Sequence, residues 1–190
     1  MPGPDAAKWD AAGLLARIGL PVRPVVLIDG GSGSGKTTLA AALAPALAAQ
    51  LVRLDDFYPG WGGLESASAA VGDQVLAPVD PGWRRWDWSA GAAAEWHELD
   101  SSLPLVIEGS GCLSRSNRAG ATFGIWVELD APTRRQRALQ RDGDSYAPHW
   151  DEWAAQERAF GCREHPWRLA DVVLADEDVT RLVERLTSVL

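Results

Sequence analysis

Lysine is nearly missing from this chain. Among 190 residues only Lys8 and Lys36 are lysines, and arginine supplies the rest of the positive charge. Acidic residues outnumber basic ones, for a formal net charge of −8. That balance argues against a nucleic-acid-binding surface, although a local arginine cluster could still hold a phosphate. Cysteine is scarce as well. Cys112 and Cys162 have no metal-ligand spacing, and nothing supports a disulfide between them, so they read as buried free thiols. No apolar run approaches the ~20 residues of a membrane span. Met1 to Trp9 lacks the basic-then-apolar pattern of a secretory signal. The expectation is a cytoplasmic protein of one domain, residues 1–190, with neither membrane nor nucleic-acid partner. Tryptophan is the opposite case: ten are present, several of them in loops.

One of the two lysines sits in the most informative stretch. The apolar, β-branched run Val25-Val26-Leu27-Ile28 leads into Asp29-Gly30-Gly31-Ser32-Gly33-Ser34-Gly35-Lys36-Thr37-Thr38, and an alanine/leucine run follows. Gly30, Gly35, Lys36 and Thr37 fit the G-x-x-x-x-G-K-[ST] phosphate loop, in the strand-then-helix context its mechanism demands. Glycines let the backbone wrap a phosphate and adopt positive φ. The N–H groups of residues 30–35 then form an anion-binding nest, backed by the positive end of the following helix. Lys36 adds a full charge for the β/γ-phosphates, and the Thr37 hydroxyl is placed to ligate Mg²⁺. Thr38 supports the helix start.

Around this loop, apolar strands alternate with helices. Strands are expected at Pro24–Asp29, Leu51–Leu54, Leu103–Ile107, Thr122–Leu129 and Ala170–Leu174. Helices are expected at Ala6–Ile18, Gly35–Gln50 (with Pro45 kinking it or splitting off its last turn), Ala90–Leu99, Asp130–Arg141, His149–Phe160, and a closing helix capped by Asp176. Asp73–Trp88 reads as a structured loop. Strands that are apolar throughout, separated by helices, imply an α/β doubly wound parallel sheet with helices on both faces.

Such sheets bind ligands beyond the carboxyl ends of their strands. Those ends carry the phosphate loop, then Asp55-Asp56-Phe57-Tyr58, then Glu108, then Asp130 and an arginine-rich helix. Phosphoryl transfer to a hydroxyl needs cradled phosphates, Mg²⁺, a carboxylate to accept the hydroxyl proton, and cations for the transferring group. Asp55 is the candidate base. Asp55 and Glu108 are candidates for the Mg²⁺ shell, with Glu108 able to face substrate instead. Arg134, Arg137 and Arg141 share one helical face. Arg137 and Arg141 are the candidate catalytic cations, although such arginines also serve as a solvated face paired with acids such as Asp142. Asp56, Tyr58, Arg84, Trp88 and Glu108 are the acceptor-binding candidates. Arg84 and Arg85 either bind an acidic acceptor or pair with Asp80 and Asp87. Trp61, Trp83, Trp86 and Trp88 either form an aromatic wall for a flat ring or fill the core beneath a long loop. His149 and His165 receive no catalytic role, and Trp150 and Trp153 read as packing.

With these residues in view the chain resembles P-loop kinases of the uridine kinase, nicotinamide riboside kinase and pantothenate kinase group. The matching pieces are Asp29 to Thr37, Asp55 to Tyr58, Val106-Ile107-Glu108-Gly109, the Arg134 to Asp142 helix, and Pro166 to Leu174. The resemblance implies a P-loop nucleoside triphosphate hydrolase fold of kinase type, with a short lid over about residues 134–160. It implies ATP and Mg²⁺ as cofactors, Lys36 on the phosphates, Thr37 on Mg²⁺, Asp55 as base toward a small-molecule hydroxyl, and lid arginines closing over ATP. Pro59 to Trp96 follows no nucleoside kinase pattern, so the acceptor stays open. Two rivals remain: a nucleoside monophosphate kinase-like enzyme, which would need basic residues in its acceptor pocket, and a nucleotide-binding regulatory ATPase.

Overall fold

The computed structural model describes residues 9–19 and 21–188. The start of the first expected helix, Ala6 to Lys8, and the reading of Met1 to Asp5 as a loose end lie outside them. Within the described residues α1 runs Ala11–Ile18, with the Asp10 side chain accepting from Gly13 N. β1 (Val25–Gly30) is fully buried and feeds the phosphate loop, and α2 (Lys36–Ala46) leaves it. Pro45 has no N–H to continue the ladder, and α2 stops one residue beyond it. β2 (Gln50–Arg53), α3 (Leu64–Ala70) and a π-helical turn at Val71–Val75 follow.

Next comes the main departure from expectation. Gly82–Asp87 and Ala92–Glu98 form an antiparallel hairpin, β3 and β4, where the sequence suggested a loop and a helix. Alanine-rich Ala90–Leu99 has helical propensity, but its pairing partner overrides it. Trp83 stacks on His97 across the hairpin with ring centroids 4.2 Å apart. Asp87 Oδ1 accepts from Ser89 N and Ala90 N, and Gly91 takes positive φ (61°) to close the turn.

The chain then builds β5 (Leu105–Glu108), α4 (Arg115–Ala119), β6 (Phe123–Val127), α5 (Ala131–Asp142), α6 (Trp150–Glu164), α7 (Pro166–Leu169), β7 (Val172–Leu174) and α8 (Asp176–Thr187). Asp130 caps α5, its side chain accepting from Thr133 N at 3.0 Å, and Pro132 sits in the first turn where its missing N–H costs nothing. Asp176 is not the cap of α8. It is the first helical residue, Ala175 holds the cap position, and the Asp178 side chain accepts from Ala175 N.

Among the described residues five strands form one parallel sheet in the order β2-β5-β1-β6-β7. Alternate side chains supply two core layers. Val26, Ile28, Val106 and Ile125 pack with Leu14, Leu39, Leu43, Val179 and Leu182 from α1, α2 and α8. Val25, Leu27, Leu105 and Ile107 pack with Leu64, Trp150, Trp153 and Phe160 from α3 and α6. This is the doubly wound arrangement expected, with helices on both faces. Cys112 is a buried free thiol as expected, but Cys162 is exposed on α6. Among the described residues no helix is long and apolar enough to cross a membrane.

Candidate active site

The carboxyl ends of β1, β2 and β5 bring the key groups together. Gly35 takes φ 99° at the N-cap of α2 and Gly33 takes φ 81°. At Gly33 a side chain would also collide with the backbone of Arg134, so glycine is required twice over. Lys36 is buried, its Nζ 3.4 Å from Gly31 O within the loop. Thr37 is half-buried and Thr38 exposed at the head of α2.

Asp29, the last side chain before the loop, is fully buried. Its carboxylate accepts from Gly30 N (2.7 Å), Gly111 N (3.1 Å) and Leu113 N (2.9 Å), tying β1 to the segment after β5. Burial pushes its pKa up to about 6, against those N–H groups and the Lys36 charge. Glu108 ends β5, only 1% exposed, and neither carboxylate oxygen has a hydrogen-bond partner. Burial raises its pKa, while Lys36 and the nearby Thr37 hydroxyl pull the other way. An orphaned buried carboxylate beside Thr37 fits a hydrated divalent cation. Among the described residues no cluster of three or more His, Cys, Asp or Glu side chains could hold a metal by itself. A cation here would therefore arrive with nucleotide phosphates, as Mg²⁺ commonly does.

Two cavities meet at this edge. One of about 200 Å³ is lined by Gly33, Gly35, Lys36, Thr37, Thr38, Arg137, Ala138 and Arg141. The second, of about 510 Å³, is lined by Ser32, Lys36, Asp55, Tyr58, Trp61, Trp88, Ser110, Arg141, Asp142, Ser145, Tyr146 and Trp153. Lys36 and Arg141 belong to both. A larger concavity of about 1060 Å³ lies along α5 and α6 and contains none of Lys36, Thr37, Asp55 or Glu108.

The aromatic side chains of this region divide between cavity and core. Trp61 stacks on His149 (4.4 Å, 9°) and Tyr146 (5.3 Å, 12°), and approaches Trp88 at 5.0 Å. Trp83 instead packs on Phe57 and His97 in the layer beneath. So the tryptophans divide: Trp61, Trp88 and Trp153 line the larger of the two meeting cavities, and Trp83 fills core. Tyr58 donates its hydroxyl to Ser110 O at 2.8 Å.

Several candidates fall elsewhere. Arg84 does not reach this cavity. Its guanidinium donates to Ala94 O and lies over the Trp96 ring. Arg85 pairs with Glu95 and, at 3.8 Å, with Asp87 rather than Asp80. Asp56 is outside the cavity lining, near Arg53, His97 and Arg85, its pKa raised by partial burial. Glu108 lines neither of the two cavities. Arg137 and Arg141 do line the smaller cavity, with Arg137 in a bidentate pair with Asp176 (2.6 and 2.8 Å) and Arg141 paired with Asp142 at 2.6 Å.

Trp153, read as packing, lines the larger of the two meeting cavities as well as core, and two further residues were missed. Tyr146 is buried with an unpartnered hydroxyl, its pKa pushed well up by burial. It belongs to the unusual Asp142–Tyr146 stretch, the only hint in the sequence. Glu157 on α6 contacts the phosphate loop itself, accepting from Ser32 N at 2.6 Å.

Strand order and phosphate loop make a doubly wound α/β fold that solved structures of kinases share. A candidate fructose transport system kinase from a Silicibacter species superposes with a TM-score of 0.59 at 24% identity, over 86% of this chain and 96% of that one. A possible uridine kinase from Bacillus stearothermophilus gives 0.59 at 22%, over 86% and 94%. A sugar kinase from a Janibacter species gives 0.51 at 20%, over 88% and 94%. At these identities the likeness concerns the fold. No protein-family model matches the chain, and no curated protein matches it.

Proposed function

We propose that this chain is an ATP- and Mg²⁺-dependent kinase that moves the γ-phosphoryl group onto a hydroxyl of a small metabolite. The observation that carries the reading is the shared wall. Lys36 and Arg141 face both the phosphate-loop cavity and the aromatic cavity, and Asp55 lines the latter. In this reading the loop N–H groups and Lys36 hold the phosphates. Asp55 takes the proton of the acceptor hydroxyl as its oxygen attacks phosphorus. Arg141 offsets charge on the transferring group, and Arg137, anchored on Asp176, holds α5 over the loop. Thr37, with Asp55 or Glu108 through water, would hold Mg²⁺, which neutralises β/γ-phosphate charge when bound. Residues 134–160 act as the short lid.

The acceptor cavity favours a neutral molecule with a flat or apolar face. Tyr58, Trp61, Trp88, Tyr146 and Trp153 line it, and among the described residues its only cations are the two it shares with the phosphate site. A nucleobase would lie against Trp61 and Trp88, and a sugar ring would use the same faces. Membership of the uridine kinase, nicotinamide riboside kinase and pantothenate kinase group is compatible with the Asp55–Tyr58 placement. With Arg84 and Arg85 engaged elsewhere, a phosphorylated acceptor finds no dedicated cation among the described residues, which weighs against a monophosphate kinase.

The test is ADP release with Mg²⁺-ATP over a panel of nucleosides, nucleoside monophosphates, nicotinamide riboside, pantothenate, and free and phosphorylated sugars. A neutral hydroxyl acceptor should raise the rate far above the ATP-only background. Stimulation by monophosphates alone supports the rival kinase, and ATP binding without acceptor-dependent turnover supports the regulator.

A further inference from the structure

Glu157 engages four groups at and around the phosphate loop, and the proposed chemistry gives it no task. It lies on α6, 125 residues from the loop residue it touches. Its Oε1 accepts from Ser32 N (2.6 Å) and Trp153 Nε1 (3.0 Å) and lies 3.0 Å from Ser110 Oγ. Its Oε2 accepts from Arg134 Nη1 at 3.1 Å. Arg134 in turn donates to Ser32 O at 3.2 Å. The ion pair is mostly buried, with side chains 17% and 11% exposed. An anionic oxygen thus occupies one N–H of the loop whose N–H groups are built to hold phosphate.

We propose that Glu157 is a positioning residue that couples nucleotide occupancy of the phosphate loop to the shape of the acceptor cavity. The proposal rests on the kinase reading of the site. A phosphoryl group in the nest competes for the Ser32 N–H and places negative charge beside the carboxylate. Glu157 then gives up Ser32 while keeping Arg134, its only cationic partner among the described residues. The same movement breaks its bond to Trp153. Trp153 lines the acceptor cavity and stands edge-on to Tyr58 with ring centroids 4.6 Å apart, so the acceptor wall relaxes when nucleotide binds. Coupling of this kind is reciprocal: an acceptor that repositions Trp153 loosens Glu157 and tightens nucleotide.

The test uses the full chain and measures calorimetric affinity for a non-hydrolysable ATP analogue and for AMP, which has no β- or γ-phosphate. Removing the carboxylate charge in Glu157→Gln should tighten the ATP analogue about tenfold and leave AMP unchanged, as expected when one like charge a few ångströms away is removed. Trp153→Phe keeps the ring but removes the indole donor, and should tighten the analogue in the same direction by a smaller factor. In wild type the analogue should change tryptophan fluorescence, and in Trp153→Phe that change should shrink. Equal analogue affinity in wild type and both variants overturns the proposal, as does an equal shift for AMP, which would mark a merely structural role. If wild type itself fails to bind the analogue, the phosphate-loop reading falls and takes this proposal with it. If wild type binds and only the variants show no difference, the kinase reading stands without it.

Discussion

The indole N–H of Trp88 donates to the main-chain carbonyl of Asp55 at 3.2 Å. The bond joins the tip of the β3–β4 hairpin to the end of β2, so the wall of the acceptor cavity and the candidate base share one anchor. Replacing Trp88 with phenylalanine keeps an aromatic face and deletes the bond. Loss of one such hydrogen bond is worth about 1 kcal/mol. We expect a several-fold fall in kcat/KM for acceptor with the KM for ATP unchanged, read from steady-state kinetics.

Asp55 and Asp56 are neighbours with different surroundings. Asp55 lines the cavity and Asp56 does not. Asp55→Asn should lower kcat by about 10²–10⁴ if it is the general base, with ATP binding retained. Asp56→Asn should stay within a few-fold of wild type. Equal losses in the two variants would remove the distinction on which the base assignment rests.

Arg141 and Arg84 form a second contrast. Arg141 faces both cavities, and Arg84 is turned onto Ala94 O and the Trp96 ring. Arg141→Ala should cost on the order of 10²–10³ in kcat, the usual loss for one stabilising group on developing charge. Arg84→Ala should leave acceptor KM and kcat near wild type. A raised acceptor KM in Arg84→Ala would reinstate it as an acceptor ligand.

Asp29 makes a pH prediction. Its folded pKa is raised from 3.8 to about 6. Below pH 4 both folded and unfolded chains hold the proton. Between about pH 4 and 6 the unfolded chain releases it and the folded chain keeps it, so this residue's contribution to stability falls as pH rises, by on the order of 3 kcal/mol, and levels off above 6. Urea denaturation at several pH values should show that slope in wild type and lose it in Asp29→Asn. An identical slope in the variant contradicts the account.

What the sequence made legible follows from range. The phosphate loop and the buried strands are local patterns: a glycine spacing, and runs such as Val25 to Ile28 and Leu105 to Ile107 that are apolar on both faces. Asp130 and Pro132 mark the start of α5 by chemistry within three residues. Ala90–Leu99 misled because its alanines favour a helix, while the decision lay with its partner strand and with Asp87 and Gly91 at the turn. Glu157 left no local trace at all. Its significance comes from Ser32, which only the packing of α6 against the loop brings within 2.6 Å. Arg84 misled in the opposite way, since a basic residue in the acceptor region turned out to face its own hairpin.

The central claim is transfer to a hydroxyl oxygen. Phosphorus NMR of the products formed from Mg²⁺-ATP and the acceptor that stimulates ADP release tests it most directly. The account predicts one new phosphomonoester resonance, matched in amount by ADP and abolished in Asp55→Asn. Phosphorus–phosphorus coupled resonances beyond those of ATP and ADP would mean a phosphate acceptor, and inorganic phosphate with ADP alone would mean hydrolysis. Either result would contradict it.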